Sequence, residues 1–190
     1  MLRVKRQVAK RNGSRGMSLI ELMIAMVILV VGMTAMLGLI ITAMANNNRV
    51  KQDTGGTLVA QMVIETITAQ PANGNVTITD CGGNNWVIST TGGGGGGLGA
   101  QLTATGTVNF AGQTYAVVPD NYKMQYRSCG AAGTQTTYDV RWNVQTIDQF
   151  SKMVTVSARP SGAQGTDNTA AGMRMFERPV TLRTIAVLGN

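Results

Sequence analysis

One carboxylate at the start of a long apolar run is the first feature of this sequence that bears on chemistry. Glu21 directly precedes 24 consecutive uncharged residues, 22–45. A carboxylate surrounded by apolar groups costs on the order of several kcal/mol unless a positive partner faces it. Ser18 stands three residues before Glu21, and the pair fits a capping box at the start of a helix. These residues predict a helix start and, in apolar surroundings, a cationic partner for Glu21.

The side chains that carry most enzyme chemistry are sparse in this chain. It has no histidine, which removes the commonest general base and the commonest metal ligand. Two cysteines, Cys81 and Cys129, are too few for a four-cysteine zinc site or an iron–sulfur cluster. The acidic residues are scattered singly, and no GxSxG motif occurs. We therefore predict a protein that is not an enzyme, with no catalytic residue, no metal and no cofactor.

Positive charge is concentrated ahead of the apolar run. The 190 residues carry a formal net charge of +7, with 16 lysines and arginines against 9 acids. Six of the basic residues lie within residues 1–16, which contain no acid, so the remainder has 10 basic and 9 acidic residues. A short basic segment before an apolar helix holds the amino terminus in the cytoplasm. Because the remainder is nearly neutral, no nucleic-acid partner is expected.

The apolar run is long enough to cross a lipid bilayer. At roughly 1.5 Å per residue it spans about 36 Å, against a hydrocarbon core of ~30 Å. It is apolar on all sides, which is typical of a membrane or filament-core helix and not of an amphipathic surface helix. It also exceeds the ~7–15 apolar residues of a secretory signal. Hydropathy alone leaves open an uncleaved membrane anchor for an exported binding domain.

The junction before this run carries a more specific pattern, RGMSLIEL from Arg15 to Leu22. It resembles the prepilin signal of type IV pilins and type II secretion pseudopilins, in which a basic leader ends in glycine. The resemblance implies that a membrane peptidase cuts after Gly16 and that the amine of Met17 is then methylated. Most members have phenylalanine where this chain has Met17. The resemblance also implies that Glu21, the fifth residue of the product, pairs with the amino terminus of a neighbouring subunit.

Apolar positions beyond the run predict that the helix continues and packs on a sheet. They recur at helical spacing up to the dipeptide 70–71, where a proline ends the helix. Gly55 and Gly56 predict a weak point or kink within it. The apolar stripe comprises Leu58, Val59, Met62, Val63 and Ile67.

Residues 72–190 alternate between short strand-like segments and turn-rich spacers, which predicts a β-rich domain. Residues 138–145 alternate strictly and would bury one face, and residues 153–158 form a second strand. In residues 179–188 the apolar parity changes, which predicts a bulge near Arg183 and Thr184. Short spacers favour an antiparallel meander of about four strands. The first of these strands would bury Tyr138, Val140, Trp142 and Val144.

A run of six glycines, residues 92–97, is predicted to be a flexible linker because glycine is entropically costly in regular structure. Cys81 and Cys129 both lie outside the cytoplasm in this topology, where a disulfide between them is expected.

The expected fold is therefore α+β and pilin-like, a long amino-terminal helix packed on a small antiparallel sheet. Its expected parts are a cleaved leader (1–16), a transmembrane and assembly half of the helix (17–45), an exported half (46–71) and an exported β-rich domain (72–190). The segments YDVRWNVQ, KMVTVSARP and RPVTLRTIAVL also resemble the carboxyl-terminal half of PilV-type minor pilins.

The leading functional interpretation is a minor pilin of a type IV pilus. Its implied partners are the prepilin peptidase/N-methyltransferase, other pilin subunits and the inner membrane. It would span that membrane once before assembly and reach the pilus, cell surface or periplasm afterwards. A pseudopilin of a type II secretion system is the closest alternative, followed by the uncleaved membrane-anchored binding domain.

Overall fold

A computed structural model describes residues 17–70, 73–130, 135–161 and 179–187 of the chain. The chain divides into two compact units, an amino-terminal unit, Met1–Asn46, and a globular unit, Asn47–Asn190. The elements in order are α1 (Leu19–Thr68), β1 (Asn75–Thr79), β2 (Asn85–Ser89), β3 (Leu98–Gly99), a 3-10 turn (Tyr115–Val117), β4 (Lys123–Arg127), β5 (Thr137–Thr146), β6 (Ser151–Pro160) and β7 (Val180–Val187).

The described part of the amino-terminal unit consists of the first half of α1. Every residue from 17 to 46 is exposed, although nearly all are apolar. Among the described residues, α1 is the one helix long and apolar enough to cross a membrane, judged by length and composition. The hydroxyls of Thr34 and Thr42 donate to carbonyls three and four residues earlier in the helix, so they need no water. This half of α1 is suited to a medium without water.

The globular unit contains two antiparallel sheets. The larger has the order β3-β5-β6-β7, and the smaller is the hairpin of β1 and β2. Strand β6 pairs with one edge of β5 over nearly its whole length. The other edge of β5 is shared: β4 pairs with its first half and β3 with its second half. The three longest strands therefore form a meander at the centre and one side of the sheet. The predicted α+β fold, a long helix on antiparallel sheets, is confirmed.

The core of the globular unit lies between the second half of α1 and the inner face of the larger sheet. Val59, Ala60, Val63 and Ile67 are buried on the helix side. Leu58, which the sequence pattern placed in the packed stripe, is 61% exposed. It lines an open groove of about 830 Å³ together with Met62 and Tyr126. The buried apolar residues that β5 and β6 contribute on the sheet side are Tyr138, Val140, Trp142, Val144, Val154, Val156 and Ala158.

The glycine pair in α1 serves close packing and does not interrupt the helix. α1 runs from Leu19 to Thr68 without a break. A Cβ on Gly55 would collide with the ring and hydroxyl of Tyr138, and one on Gly56 would lie 3.7 Å from the same ring. The Tyr138 hydroxyl donates to the carbonyl of Gln52 at 3.3 Å. The weak point or kink expected from the sequence does not interrupt the helix, and the two glycines admit an aromatic ring against the helix backbone.

Strand β7 pairs with β6 without a bulge, contrary to the sequence prediction. The register is continuous from Ala158 opposite Val180 to Ser151 opposite Val187. Thr184 consequently takes the inward position opposite Val154, and the larger Ile185 lies on the outer face, 62% exposed. A bulge would be needed only if every large apolar residue of the strand turned inward. The continuous ladder keeps all backbone pairs and leaves two apolar residues outside instead.

Replacing Gly55 with alanine is expected to destabilise the globular unit by about 1–3 kcal/mol, because the added methyl overpacks the contact with Tyr138. The measurement is urea unfolding of the full chain in detergent, followed by the fluorescence of its two tryptophans, Trp86 and Trp142. Gly74→Ala is the matched control, since nothing lies within 4 Å of a Cβ at that position. A Gly55→Ala chain as stable as the Gly74→Ala chain would contradict the packing role.

Candidate functional site: the amino-terminal helix and its attached globular unit

The first turn of α1 is held by main-chain bonds from Ser18. The Ser18 carbonyl accepts the N–H groups of Glu21 at 3.0 Å and Leu22 at 3.1 Å. Among the described residues, no side-chain hydrogen bond is made by Ser18 or Glu21, so neither side-chain bond of the predicted capping box is formed there. The acid still suits the positive end of the helix dipole.

Glu21 is a carboxylate on an otherwise apolar surface with no cation beside it in the described chain. The ion pairs of Asp120 and Asp139 with lysine and arginine lie in the globular unit, and none of them includes Glu21. The next charged residue along α1 is Arg49, more than twenty positions later. Since α1 rises about 1.5 Å per residue, Arg49 is about 40 Å from Glu21 along the helix. In water the carboxylate is solvated, but in apolar surroundings it requires a partner from outside this helix.

Of the two residues at the predicted processing site, the structure describes Met17 but not Gly16. Gly16 lies outside the described residues. Met17 is described, lies two residues before α1 begins, and is 66% exposed. The segment entering the helix is therefore accessible at Met17.

Cys81 and Cys129 form a disulfide in the structure, with their Cα atoms 5.1 Å apart and a sequence separation of 48 positions. The bond joins the turn between β1 and β2 to the segment following β4. In the chain-entropy description, closing a loop of this length stabilises the folded state by about 4 kcal/mol. The disulfide therefore fastens the small hairpin to the larger sheet.

A buried carboxylate reinforces the same attachment. Asp80 is 5% exposed and accepts the N–H groups of Gly82 and Asn84, both at 2.8 Å, and the indole N–H of Trp86 at 3.1 Å. It also accepts the N–H of Arg127 at 3.3 Å, at the end of β4. Burial alone would raise the pKa of Asp80, but these bonds to the ionised form outweigh it and lower the pKa to about 2.

The outer face of β5 holds an ion-pair cluster that sequence reasoning missed. The Arg141 guanidinium donates Nε to one carboxylate oxygen of Asp139 at 2.9 Å and Nη2 to the other at 2.8 Å. Arg159, the register partner of Asp139 on β6, adds a second contact at 3.0 Å. Both guanidiniums lie over the ring of Phe110, at 4.7 and 4.5 Å from its centre.

Polar positions in an alternating strand normally face solvent, so Asp139 and Arg141 gave no sign of burial. Their exposures are 5% and 1% respectively. The available signal was the spacing, since opposite charges two residues apart lie on one face of a strand. The cluster has a structural role, because its charged groups bond to one another and Arg141 also donates to the Gln113 carbonyl.

The six-glycine run packs along β5 and is not a free linker. Gly93 exchanges main-chain hydrogen bonds with Val144 and Thr146, and the Gly96 carbonyl accepts the Asn143 amide at 3.2 Å. A Cβ at Gly97 would collide with the Asn143 side chain. A Cβ at Gly92 or Gly93 would also collide with neighbouring atoms, so glycine is needed at the positions of the run that lie directly on the sheet.

The hydrogen bonds to the Asp80 carboxylate predict that the free energy of unfolding falls in acid. The folded pKa is depressed, so the contribution is complete above the unfolded value near 3.8 and is lost as the pH falls towards 2. Asp80→Asn should therefore lower the free energy of unfolding by on the order of 2 kcal/mol at neutral pH and flatten its dependence over that interval. Urea unfolding at a series of pH values tests this.

Asp120→Asn is the control for that experiment. Asp120 is 90% exposed and pairs with Lys123 at the surface, so its loss should cost about 0.5 kcal/mol or less. If the free energy of unfolding of Asp80→Asn still fell in acid as it does in the unmodified chain, other carboxylates would be responsible for that fall.

Comparison with known proteins gives one match. The family model described as "Prokaryotic N-terminal methylation motif" matches residues 11–37, a segment that contains Gly16, Met17, Glu21 and the first half of the apolar run. No curated protein and no solved structure matches the chain. The amino terminus of this chain therefore carries a prokaryotic methylation motif, which supports a prepilin signal of the type IV pilin kind.

Proposed function

We propose that this chain is a minor subunit of a type IV pilus, cleaved after Gly16, methylated at Met17 and polymerised through the apolar half of α1. The observation that carries the proposal is the methylation motif at residues 11–37 on a helix that is exposed at every position from 17 to 46. A structural subunit needs a surface that only its neighbours can cover, and the apolar half of α1 is such a surface. The role is structural and not enzymatic.

Hydrophobic burial supports two successive locations for this helix. Each large apolar side chain stabilises its buried location by about 1.5–3 kcal/mol relative to water, so the apolar half of α1 resides in the inner membrane before assembly. A bundle of similarly apolar helices from other pilin subunits offers an equally apolar environment. The six positive charges of the leader oppose that transfer because they hold the helix end in the cytoplasm, and cleavage after Gly16 removes them.

Glu21 supplies the register of assembly in this proposal. Cleavage creates a cationic amine at Met17, and methylation of an amine keeps its positive charge. A neighbouring subunit can then offer the partner that Glu21 lacks within its own described chain. A carboxylate and an amine left apart in apolar surroundings would each cost several kcal/mol, so the pairing selects the axial offset at which both are satisfied.

The implied partners follow from this sequence of events. They are a prepilin peptidase that also methylates the new terminus, and other pilin subunits in a helical filament. The subunit passes from the inner membrane to the pilus at the cell surface. A pseudopilin of a type II secretion system, confined to the periplasm, is the second candidate, because the methylation motif is common to both systems.

The amino-terminal peptide of the mature protein tests the processing step. Mass spectrometry of the membrane fraction is expected to find a peptide that begins at methylated Met17. The same peptide in sheared surface filaments would support the pilus, and its restriction to the envelope would support the pseudopilin. A peptide beginning at Met1 in every fraction would contradict processing and favour the uncleaved membrane anchor.

Glu21→Ala tests the assembly step. The variant is expected to be cleaved and inserted normally, but to enter filaments at least about tenfold less, the change that a loss of 1.4 kcal/mol produces. The measurement is the ratio of the subunit in sheared filaments to that in membranes. Glu65→Ala, an exposed acid in the half of α1 that belongs to the globular unit, is the matched control. Equal incorporation of both variants would show that Glu21 does not set assembly.

A further inference from the structure

The disulfide of the globular unit lies at the surface. Cys81, in the turn between β1 and β2, and Cys129, in the segment after β4, are both exposed. Cysteine is otherwise among the residues most often buried in folded proteins. A buried disulfide is shielded from thiols by the protein around it, whereas an exposed one is accessible while the chain stays folded. Thiols can therefore reach this bond without unfolding the chain.

One half of the disulfide also opens into the groove beside α1. Cys129 and Ser128 lie on one wall of that groove, and Leu58 and Met62 lie on the other. Cys81 is not among the lining residues. In thiol–disulfide exchange a thiolate attacks one sulfur of the bond and expels the other. A thiolate that enters from the groove therefore meets the sulfur of Cys129 and releases that of Cys81.

The size and charge of the groove suit a small anionic thiol. Its volume of about 830 Å³ falls within the range of roughly 300–1,000 Å³ that is usual for small-molecule sites. Lys51 lies on its wall, and the described residues that line it include no carboxylate. The acid next to this stretch of α1, Asp53, does not line the groove. Since the thiolate is the reactive form of a thiol, a cation without an opposing acid favours its entry.

Reduction would leave the small hairpin in place, because Asp80 attaches it independently of the disulfide. Asp80 accepts hydrogen bonds from Trp86 within the hairpin and from the main chain of Arg127 at the end of β4. Its pKa of about 2 keeps it ionised, so these bonds persist at neutral pH. The Cα atoms of Cys81 and Cys129, 5.1 Å apart, would remain neighbours after reduction. The same pair can then form its bond again.

We propose that the Cys81–Cys129 bond is a reversible exchange site for small thiols, entered from the groove at the sulfur of Cys129. The external thiolate forms a disulfide with Cys129, and Cys81 leaves as a thiolate that takes a proton from solvent. A second external thiolate attacks the external sulfur of this mixed disulfide and leaves Cys129 reduced. Two thiols are thereby oxidised to a disulfide while the bond of this chain is reduced. A small external disulfide reverses both steps.

Glutathione, a small anionic thiol, tests which sulfur is attacked. The full chain in detergent is mixed with glutathione at neutral pH, and a maleimide then blocks every free thiol. Cleavage after arginine places Cys129 in a peptide of residues 128–141, separate from Cys81. Glutathione on Cys129 with maleimide on Cys81 is expected in at least tenfold excess over the reverse arrangement. Equal amounts of the two, or an excess of the reverse, would overturn entry from the groove.

Urea separates exchange in the folded chain from exchange after unfolding. The rate with glutathione is expected to change less than twofold between zero and about 1 M urea. Exchange through the unfolded chain would accelerate at least about fivefold over that interval, because urea raises the unfolded population, and that result would contradict the proposal. Oxidised glutathione should then restore the bond between Cys81 and Cys129. Recovery of the free thiols alone would show that the site is not reversible.

Charge substitutions in the groove provide a matched pair of variants. Leu58→Lys and Leu58→Glu differ in sign at one exposed position of the groove wall. The lysine variant should react with glutathione at least about threefold faster than the glutamate variant, because an anion is attracted within the screening length of ~8 Å. Val117→Lys and Val117→Glu, at a position 66% exposed outside the groove, are the control pair and should differ less. Equal rates for the two Leu58 variants, or reduction by a protein dithiol such as thioredoxin with none by glutathione, would rule out a small-thiol site.

Discussion

Strand β5 is enclosed on both faces and both edges, and the arrangement of the globular unit depends on that enclosure. Its inner face carries Tyr138, Val140, Trp142 and Val144 against α1, and all four are buried. Its outer face carries the pair of Asp139 and Arg141, also buried. A charge pair out of water is tolerated only when both groups are well bonded, which requires Arg159, Phe110 and the Gln113 carbonyl at their observed places. The loop preceding β4 is therefore fixed by the chemistry of a strand that follows it.

The glycines around this strand are a consequence of the same close packing. Gly55 and Gly56 let Tyr138 approach the backbone of α1, and the run at residues 92–97 lies against the far end of β5. A β-carbon at Gly55, Gly93 or Gly97 would collide with an atom that is already packed. Glycine loses more conformational entropy on folding than other residues, but that cost is offset where backbone must touch side chain directly. The disulfide and Asp80 then attach the remaining hairpin to the end of β4.

The two halves of α1 have the same secondary structure but different surroundings. From residue 17 to residue 46 the helix is exposed on all sides, and its threonines bond to their own backbone. Beyond residue 47 it buries one stripe on the sheet and leaves polar residues outside. The first half has no stable location in water, so the proposed passage from membrane to filament supplies one at each stage. The second half requires only its own sheet.

The sequence by itself determined the features that depend on local order along the chain. Uniform apolarity over residues 22–45 and helical spacing after it defined α1, strict alternation defined β5, and residues 11–37 carry the methylation motif. The tertiary structure alone decided which polar positions are buried, as at Asp139 and Arg141, because burial depends on a loop distant in sequence. It also decided that Gly55 and Gly56 pack against Tyr138, and that β7 keeps its ladder and leaves Ile185 outside. Periodicity describes one element at a time, whereas close approach and edge exposure are properties of the elements that surround it.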